Sequence, residues 1–483
     1  MTLMRRMLIA VVLVSLAGCS SADSSTVSSP STSAPSAERH RAVVPSEAAL
    51  LDDVEQRTFH FFWDLADPHT QLIPDRAPTP AFSSIAAVGF GLTAYGIGAE
   101  RGFVTREQAA ERTLATLRSF QAMKQGNTAR GVSGYKGFYY HFLDMKTAER
   151  FETVELSTVD TTLLIAGSLF SQSYFDRDNP TEAEIRSLAQ SLYERIDWTF
   201  AQARPPAISM GWSPEGGLHT YDWNGYNEAM IVLVLALGSP THPVDPSAWT
   251  QYTKTYRWDT FYGEPHLTFA PLFGHQYSHV WIDFRGIQDP YMRSRGIDYF
   301  ENSRRATRAQ HSYAVANPGG FRDYSENIWG LTACDGPMDA TMTIDGRARK
   351  FQTYTARGAT AGDIRDDGTI APTAAISSIA FTPALSIAAI SEMQRRYGSN
   401  LYSTYGFLDA FNPTLRTSEQ VKYGRVDPQL GWFGPDYLGI DQGPILAMIE
   451  NYRSDLVWKT MRKNPNIIRG LQRAGFTGGW LPK

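Results

Sequence analysis

Cysteine is almost missing from this chain, with two residues in 483, Cys19 and Cys334. If Cys19 is consumed in processing, as argued below, one thiol remains. That excludes an internal disulfide and any cysteine-rich metal site. Metal-binding histidine motifs are missing as well. Ten histidines occur without HExxH or a comparable ligand spacing, so neither a metal nor a cofactor is expected. Basic blocks are also absent. Lys and Arg number 45 against 49 Asp and Glu, for a net charge of −4, which excludes the usual electrostatic footprint of a nucleic-acid binder.

What is present begins with an address. Arg5 and Arg6 precede an apolar stretch, Met7 to Leu16, which is too short to span a membrane. Leu16-Ala17-Gly18-Cys19 closes it with the small residues of a secretory cleavage site. A cysteine in that place reads as a lipobox, so residues 1–19 are expected to be a lipoprotein signal with Cys19 as the lipidated residue. Ser20 resembles the outer-membrane sorting pattern rather than the aspartate of inner-membrane retention. A lipid-anchored protein of the cell envelope, in the outer membrane or periplasm, is therefore expected. Residues 20–43 are dominated by Ser and Pro and can bury almost nothing, as befits a disordered tether. No second linker interrupts residues 44–483, read here as one domain and a monomer.

The apolar pattern of that domain is helical. Glu47–Leu65, Arg106–Met123, Glu182–Ala203 and Gly296–Val315 are amphipathic. Ala81–Ala99, Thr158–Phe170, Glu228–Leu237, Leu267–Phe284, Thr373–Ile390 and Gly443–Tyr452 carry few charges beyond their first turns, the signature of buried helices. Six buried helices alternating with covering ones predict an all-α (α/α)6 barrel, although counting alone leaves an irregular all-α domain open. Residues 316–371, rich in Gly, Asp and Thr, predict a long loop insertion with short strands.

Four polar, aromatic segments precede buried helices: FETVELSTVD (151–160), GWSPEGGLHTYDWNGYNE (211–228), FGHQYSHVWIDFRG (273–286) and WFGPDYLGIDQGP (432–444). In a ring of parallel helices they would meet at one mouth. Trp212, Trp223, Tyr226, Tyr277, Trp281, Trp329, Trp432 and Tyr437 combine apolar faces with polar handles, which suits a carbohydrate cleft. Core packing competes for each of them.

ELSTVDT, GYNEAM, HQYSHVWIDFRG, ENIWGLTACDGP and GIDQGPI, in this order, resemble the glucoamylase-like domain. That domain includes the endo-β-1,2-glucanases of glycoside hydrolase family 144. The resemblance runs from about Phe61 to Tyr452. It implies an (α/α)6 barrel, a β-glucan or oligosaccharide substrate, and hydrolysis with inversion. In relatives of the family the base can act through a substrate hydroxyl.

Glycoside hydrolysis usually requires two carboxyl groups. Glu228 in GYNEAM is the expected acid; its competing role is a first-turn charge complementing the helix dipole. Asp441 in GIDQGP is the expected base, with an N-cap role equally open. Glu155 is the reserve acid. Glu155 and Asp160 lie five apart and would not share one helix face, while Ser157 and Asp160 also read as a capping box. Asp160, His219, His275, His279, Asp283 and Arg285 are assigned to substrate binding with Trp212, Tyr226, Trp281, Trp329 and Trp432. An ordinary Asp283–Arg285 ion pair remains open. A surface glycan-binding lipoprotein without chemistry, or a hydrolase of another envelope polysaccharide, stays open beside the β-1,2-glucanase.

Replacement of Cys19 by Ala is expected to release the protein from the membrane fraction. A variant that fractionates like the parent would remove the anchor assignment.

Overall fold

The computed structural model describes residues 45–482. The signal, Cys19 and the tether lie outside the described residues. What is described is predominantly helical, and buried helices alternate along the chain with helices exposed on one face. The buried set comprises Ile85–Glu100, Thr158–Tyr174, Met230–Gly238, Phe273–Trp281, Pro372–Ile376 and Gly439–Ser454. Against them pack Pro45–Asp64, Arg106–Ala122, Pro180–Glu194, Tyr299–Ala316, Pro383–Tyr397 and Pro465–Arg473.

Local chemistry sets these boundaries. Ser84 and Ser157 cap the first two buried helices, and Thr105 with Gln108 forms a complete capping box on the Arg106–Ala122 helix. The single helix expected over Thr373–Ile390 is two, because Pro383 has no N–H to continue a ladder and restricts Thr382 before it. The helix expected from Glu228 begins at Met230. Leu267–Phe284 resolves into a strand, Glu264–Leu267, and a shorter helix from Phe273. Within 316–371, six short strands run between Ala333 and Arg365. One hairpin, Ala340–Ile344 with Arg347–Phe351, turns at Asp345-Gly346, both at positive φ as a type I′ turn demands.

Short ladders draw helix starts to one end of the molecule. Ser83–Ser84 pairs with Phe142–Leu143, Tyr140 bridges Leu156, and Leu156–Ser157 pairs with Gly211–Trp212. Arg76–Ala77 pairs with Tyr437–Leu438, and the Gly439 N–H donates to the Asp75 carbonyl at 2.8 Å. The residues just before three buried helices are thereby fastened side by side.

The Ile85–Glu100 and Thr158–Tyr174 helices touch through glycine. A Cβ on Gly167 would lie 2.0 Å from the Gly89 carbonyl oxygen, and one on Gly89 would lie 2.3 Å from that of Leu163. No side chain fits there. Gly167→Ala is expected to part the helices and lower stability by about 1–3 kcal/mol, seen as a lower urea midpoint with helical circular dichroism retained. An unchanged midpoint would mean that the contact is loose.

Candidate active site

Glu228 occupies a turn, one residue before Ala229, which stands at the cap position of the Met230–Gly238 helix. Neighbours hold that turn from several sides. Ser278 Oγ donates to the Glu228 carbonyl at 2.9 Å, and Tyr252 OH donates to Asn227 Oδ1 at 2.9 Å. Trp223 Nε1 donates to Thr158 Oγ1 at 2.9 Å, fastening the loop to the buried helix Thr158–Tyr174. The Glu228 carboxyl makes no cap bond to the helix, and its Oε2 is buried without a partner. Burial raises its pKa to about 7, opposed by a hydrogen bond from its own backbone and assisted by the charge of Asp160.

Glu155 and Asp160 converge although their spacing forbids a shared helix face. Glu155 precedes the strand Leu156–Ser157, whereas Asp160 lies in the first turn of the helix from Thr158. Between them stands His141, with Nδ1 2.8 Å from Glu155 Oε1 and Nε2 3.5 Å from Asp160 Oδ2. Burial alone would discharge this imidazole. The charges of Asp160 and Glu155 outweigh that effect and lift its pKa to about 9, so it is a cation at neutral pH. Burial pushes Glu155 upward, but the His141 charge and hydrogen bond prevail and hold it below the usual carboxylate range. Asp160 is shifted upward by burial against the pull of His141. Ser157 caps the helix by accepting from the Asp160 N–H, and its hydroxyl donates to Asp160 Oδ2 at 2.5 Å.

Asp441 lies in the first turn of the Gly439–Ser454 helix and makes no cap bond; Leu438 occupies the cap position. Pro444 is further inside the same helix. The N-cap role left open for Asp441 is therefore not taken up. The residue is 2% exposed, and its Oδ2 is buried without a partner. Burial first, then the charge of Asp409, keep its proton bound well above the usual range. Asp75, Asp335 and Asp436 complete this acidic wall around one guanidinium. Arg76 reaches Asp75 Oδ2 at 3.0 Å, Asp335 Oδ2 at 2.7 Å and Asp436 Oδ2 at 3.9 Å. Among the described residues, no group of three or more His, Cys, Asp or Glu side chains is arranged to hold a metal ion.

Tyr277 lies within electrostatic reach of both carboxyl groups. Its phenol is pushed up by burial and then by the charges of Asp441, Tyr354 and Glu228. At the rim, half-buried Phe82 packs on Phe142 and Phe151 at 4.2 and 4.7 Å between ring centroids, and His141 stacks on Phe142 at 3.9 Å. Trp212 is half-buried against Tyr135 and Phe200. His219 is half-buried, and its charge acts on Glu155.

Other residues expected at the cleft are core. Trp281 is fully buried, stacked on Phe90, with its N–H on Thr93 Oγ1. Trp329 is fully buried beside His311, and Trp432 packs with Cys334, Phe351 and Leu415. Tyr226 stacks on Tyr299 and bonds Ser303. His275 meets the Phe269 carbonyl and His279 meets Ser303 Oγ. Burial depresses both imidazoles, His279 to about 3, so they serve as neutral packing groups. Trp223 and Tyr437 are buried too. Asp283 and Arg285 follow the end of the Phe273–Trp281 helix, at the opposite end from its mouth. There Asp283 pairs with Arg285 at 2.8 Å and with Arg462, while Arg285 lies over Trp458 and bonds Asp455. Their role is structural.

His141, Asp75, Arg76, Asp335 and Asp409 were missed. FYYHF (138–142) carries the same aromatic-polar signature as the four recognised segments, and ENIWGLTACDGP contains Asp335. Asp409 offers no comparable signal.

The profile of the family described as "Putative glucoamylase" matches residues 220–465, just over half of the chain. This chain belongs to that glucoamylase family. It is 33% identical to a family protein of known structure from Bacteroides uniformis, covering 90% of this chain and 99% of that one with a TM-score of 0.76. An endo-β-1,2-glucanase from Chitinophaga pinensis, solved with sophorotriose and glucose, is 26% identical over 91% of this chain and all of its own, with a TM-score of 0.76. An exo β-1,2-glucooligosaccharide sophorohydrolase from Parabacteroides distasonis is 29% identical over 89% of this chain. The chain spans 58% of the length of that curated relative. Glu228, Asp409 and Asp441 fall inside the family match, whereas His141, Glu155 and Asp160 precede it.

A raised carboxyl pKa is also a statement about stability. The folded state binds the Glu228 proton up to about pH 7, whereas an unfolded glutamate releases it near 4.5. Stability is therefore lost as pH rises between those values, and the penalty is complete above 7. Glu228→Gln is expected to be more stable than the parent at pH 8, by on the order of 2 kcal/mol. The two should converge at pH 4.5. Parallel denaturation curves at both pH values would show that the carboxyl is solvated.

Proposed function

We propose that this chain is a glycoside hydrolase that cleaves β-1,2-linked glucan with inversion, on an (α/α)6 ring of helices. The observation that carries the proposal is Glu228, a carboxyl without a counter-ion that keeps its proton near neutral pH, whose charge and that of Asp441 both act on Tyr277. The β-1,2-glucan specificities of the Chitinophaga and Parabacteroides relatives supply the linkage.

In the step proposed, the Glu228 O–H protonates the leaving glycosidic oxygen as its bond to the anomeric carbon breaks. Water attacks that carbon from the opposite face, directly or relayed through a substrate hydroxyl, and its proton passes to Asp441. Inverting pairs stand about 6.5–9.5 Å apart to admit the water, and a relay permits more. Asp160 keeps the Glu228 proton in place by its charge. Glu155 is assigned to substrate binding, because His141 keeps it ionised and so unable to donate. Trp212, His219 and the Phe82–Phe142–Phe151 surface are the groups placed to meet sugar rings. A lipid on Cys19 would hold the enzyme in the cell envelope.

Incubation with a panel of glucans followed by product chromatography is expected to show β-1,2-glucan alone shortened, and product length separates endo from exo attack. Cleavage of none of them would overturn the proposal. Glu228→Gln should lose about 10²–10⁴-fold in turnover while still binding oligosaccharide. Near-parental turnover would remove Glu228 as the acid.

A further inference from the structure

Asp409 lies in the loop between the short strands Gly406–Phe407 and Phe411–Asn412. Its backbone N–H donates to the Asp436 carbonyl at 2.9 Å, and its Oδ2 accepts from the Asp335 N–H at 2.7 Å. Its remaining oxygen, Oδ1, is buried without a protein partner, as is Asp441 Oδ2. Asp409 and Asp441 are 3% and 2% exposed, and the charge of Asp409 bears on Asp441. Two carboxyls buried beside each other, each with an unpartnered oxygen and no bonded cation, are held together at least cost by one proton between them.

Against the upward push of burial, the charges of Arg76 and Arg357 reach Asp409 and lower its pKa, but both guanidinium groups bond other partners. Arg76 bonds Asp75 and Asp335. Arg357 spends its guanidinium on Asp367, at 2.8 and 2.9 Å, and on the Cys334 carbonyl. Among the described residues, no guanidinium, ammonium or imidazole bonds either Asp409 or Asp441. The other titratable groups facing the pair are Asp75, Asp335, Cys334, Tyr277 and Tyr354, none of which brings positive charge.

We propose that Asp409 is a positioning residue that shares a proton with Asp441 and thereby sets the pH at which Asp441 can take a proton from water. This rests on the base role given to Asp441 above. The competent state is the doubly ionised pair. When the water O–H breaks, its proton goes to Asp441 and becomes the shared hydrogen, and the pair returns it to solvent after product leaves. Paired carboxyls of this kind hold their common proton more tightly than an isolated one.

The test is the pH profile of kcat/KM on β-1,2-glucan for the full chain, Asp409→Asn and Asp441→Asn. The Asn amide can donate to an Asp441 carboxylate and carries no charge. The lower limb of Asp409→Asn is therefore expected about 1–2 pH units below that of the parent. The upper limb should stay unmoved, and turnover on the plateau should fall about tenfold as the base weakens. A lower limb coincident with the parent, with Asp441→Asn inactive, overturns the inference while leaving the base assignment standing. Near-parental turnover of Asp441→Asn overturns that assignment and this inference together. Should Asp409→Asn fail to fold, infrared titration of the parent decides. A protonated-carboxyl component at pH 6, additional to that of Glu228, that is lost in Asp441→Asn supports the pair, and identical spectra overturn it.

Discussion

A shortage of positive charge governs the mouth of this protein. Carboxyl groups from six segments gather there against two cations, Arg76 and His141. Arg76 serves Asp75 and Asp335, and His141 serves Glu155 and Asp160. Glu228 and the Asp409–Asp441 pair are left with no bonded cation. A buried carboxyl without a counter-ion lowers its free energy by holding a proton. The groups that keep protons near neutral pH are thus selected by where the cations are missing.

The fold enforces that crowding. Two-residue ladders fasten the residues ahead of the buried helices side by side, and the glycine contact between the Ile85–Glu100 and Thr158–Tyr174 helices stops them from spreading. The opposite end of the Phe273–Trp281 helix shows the alternative. There Asp283 is as deeply buried as Asp441, yet Arg285 and Arg462 both reach it. Full pairing keeps a buried carboxylate ionised, whereas deficient pairing leaves it holding a proton.

The helical frame was legible in the sequence because burial on every face leaves a plain signature: Ile85–Glu100 and Met230–Gly238 contain almost no charge. The break at Pro383 is legible too, although the apolar pattern continues across it. The cleft was less accessible. Trp281, Trp329 and Trp432 look like sugar platforms because core and cleft tryptophans share one chemistry, and only depth separates them. His275 and His279, read as a helix-face pair, lie under Tyr226 and Phe381, where an imidazole packs uncharged. His141 escaped notice because its partners lie 14 and 19 residues away, brought close by a strand bridge rather than by helical periodicity. Asp409 meets Asp441 through the tertiary fold alone.

Glu155 and Glu228 show how far environment exceeds composition. Both are glutamates that precede buried helices within aromatic, polar segments, and sequence spacing treats them alike. Each is pushed toward protonation by burial. At Glu155 an imidazolium 2.8 Å away reverses that push, and the group stays ionised. At Glu228 the nearest influential charge is Asp160, which adds to it. One histidine therefore divides the labour. By pairing with Glu155 it keeps that carboxylate ionised, and by leaving Glu228 alone it leaves a carboxyl that holds its proton near neutral pH.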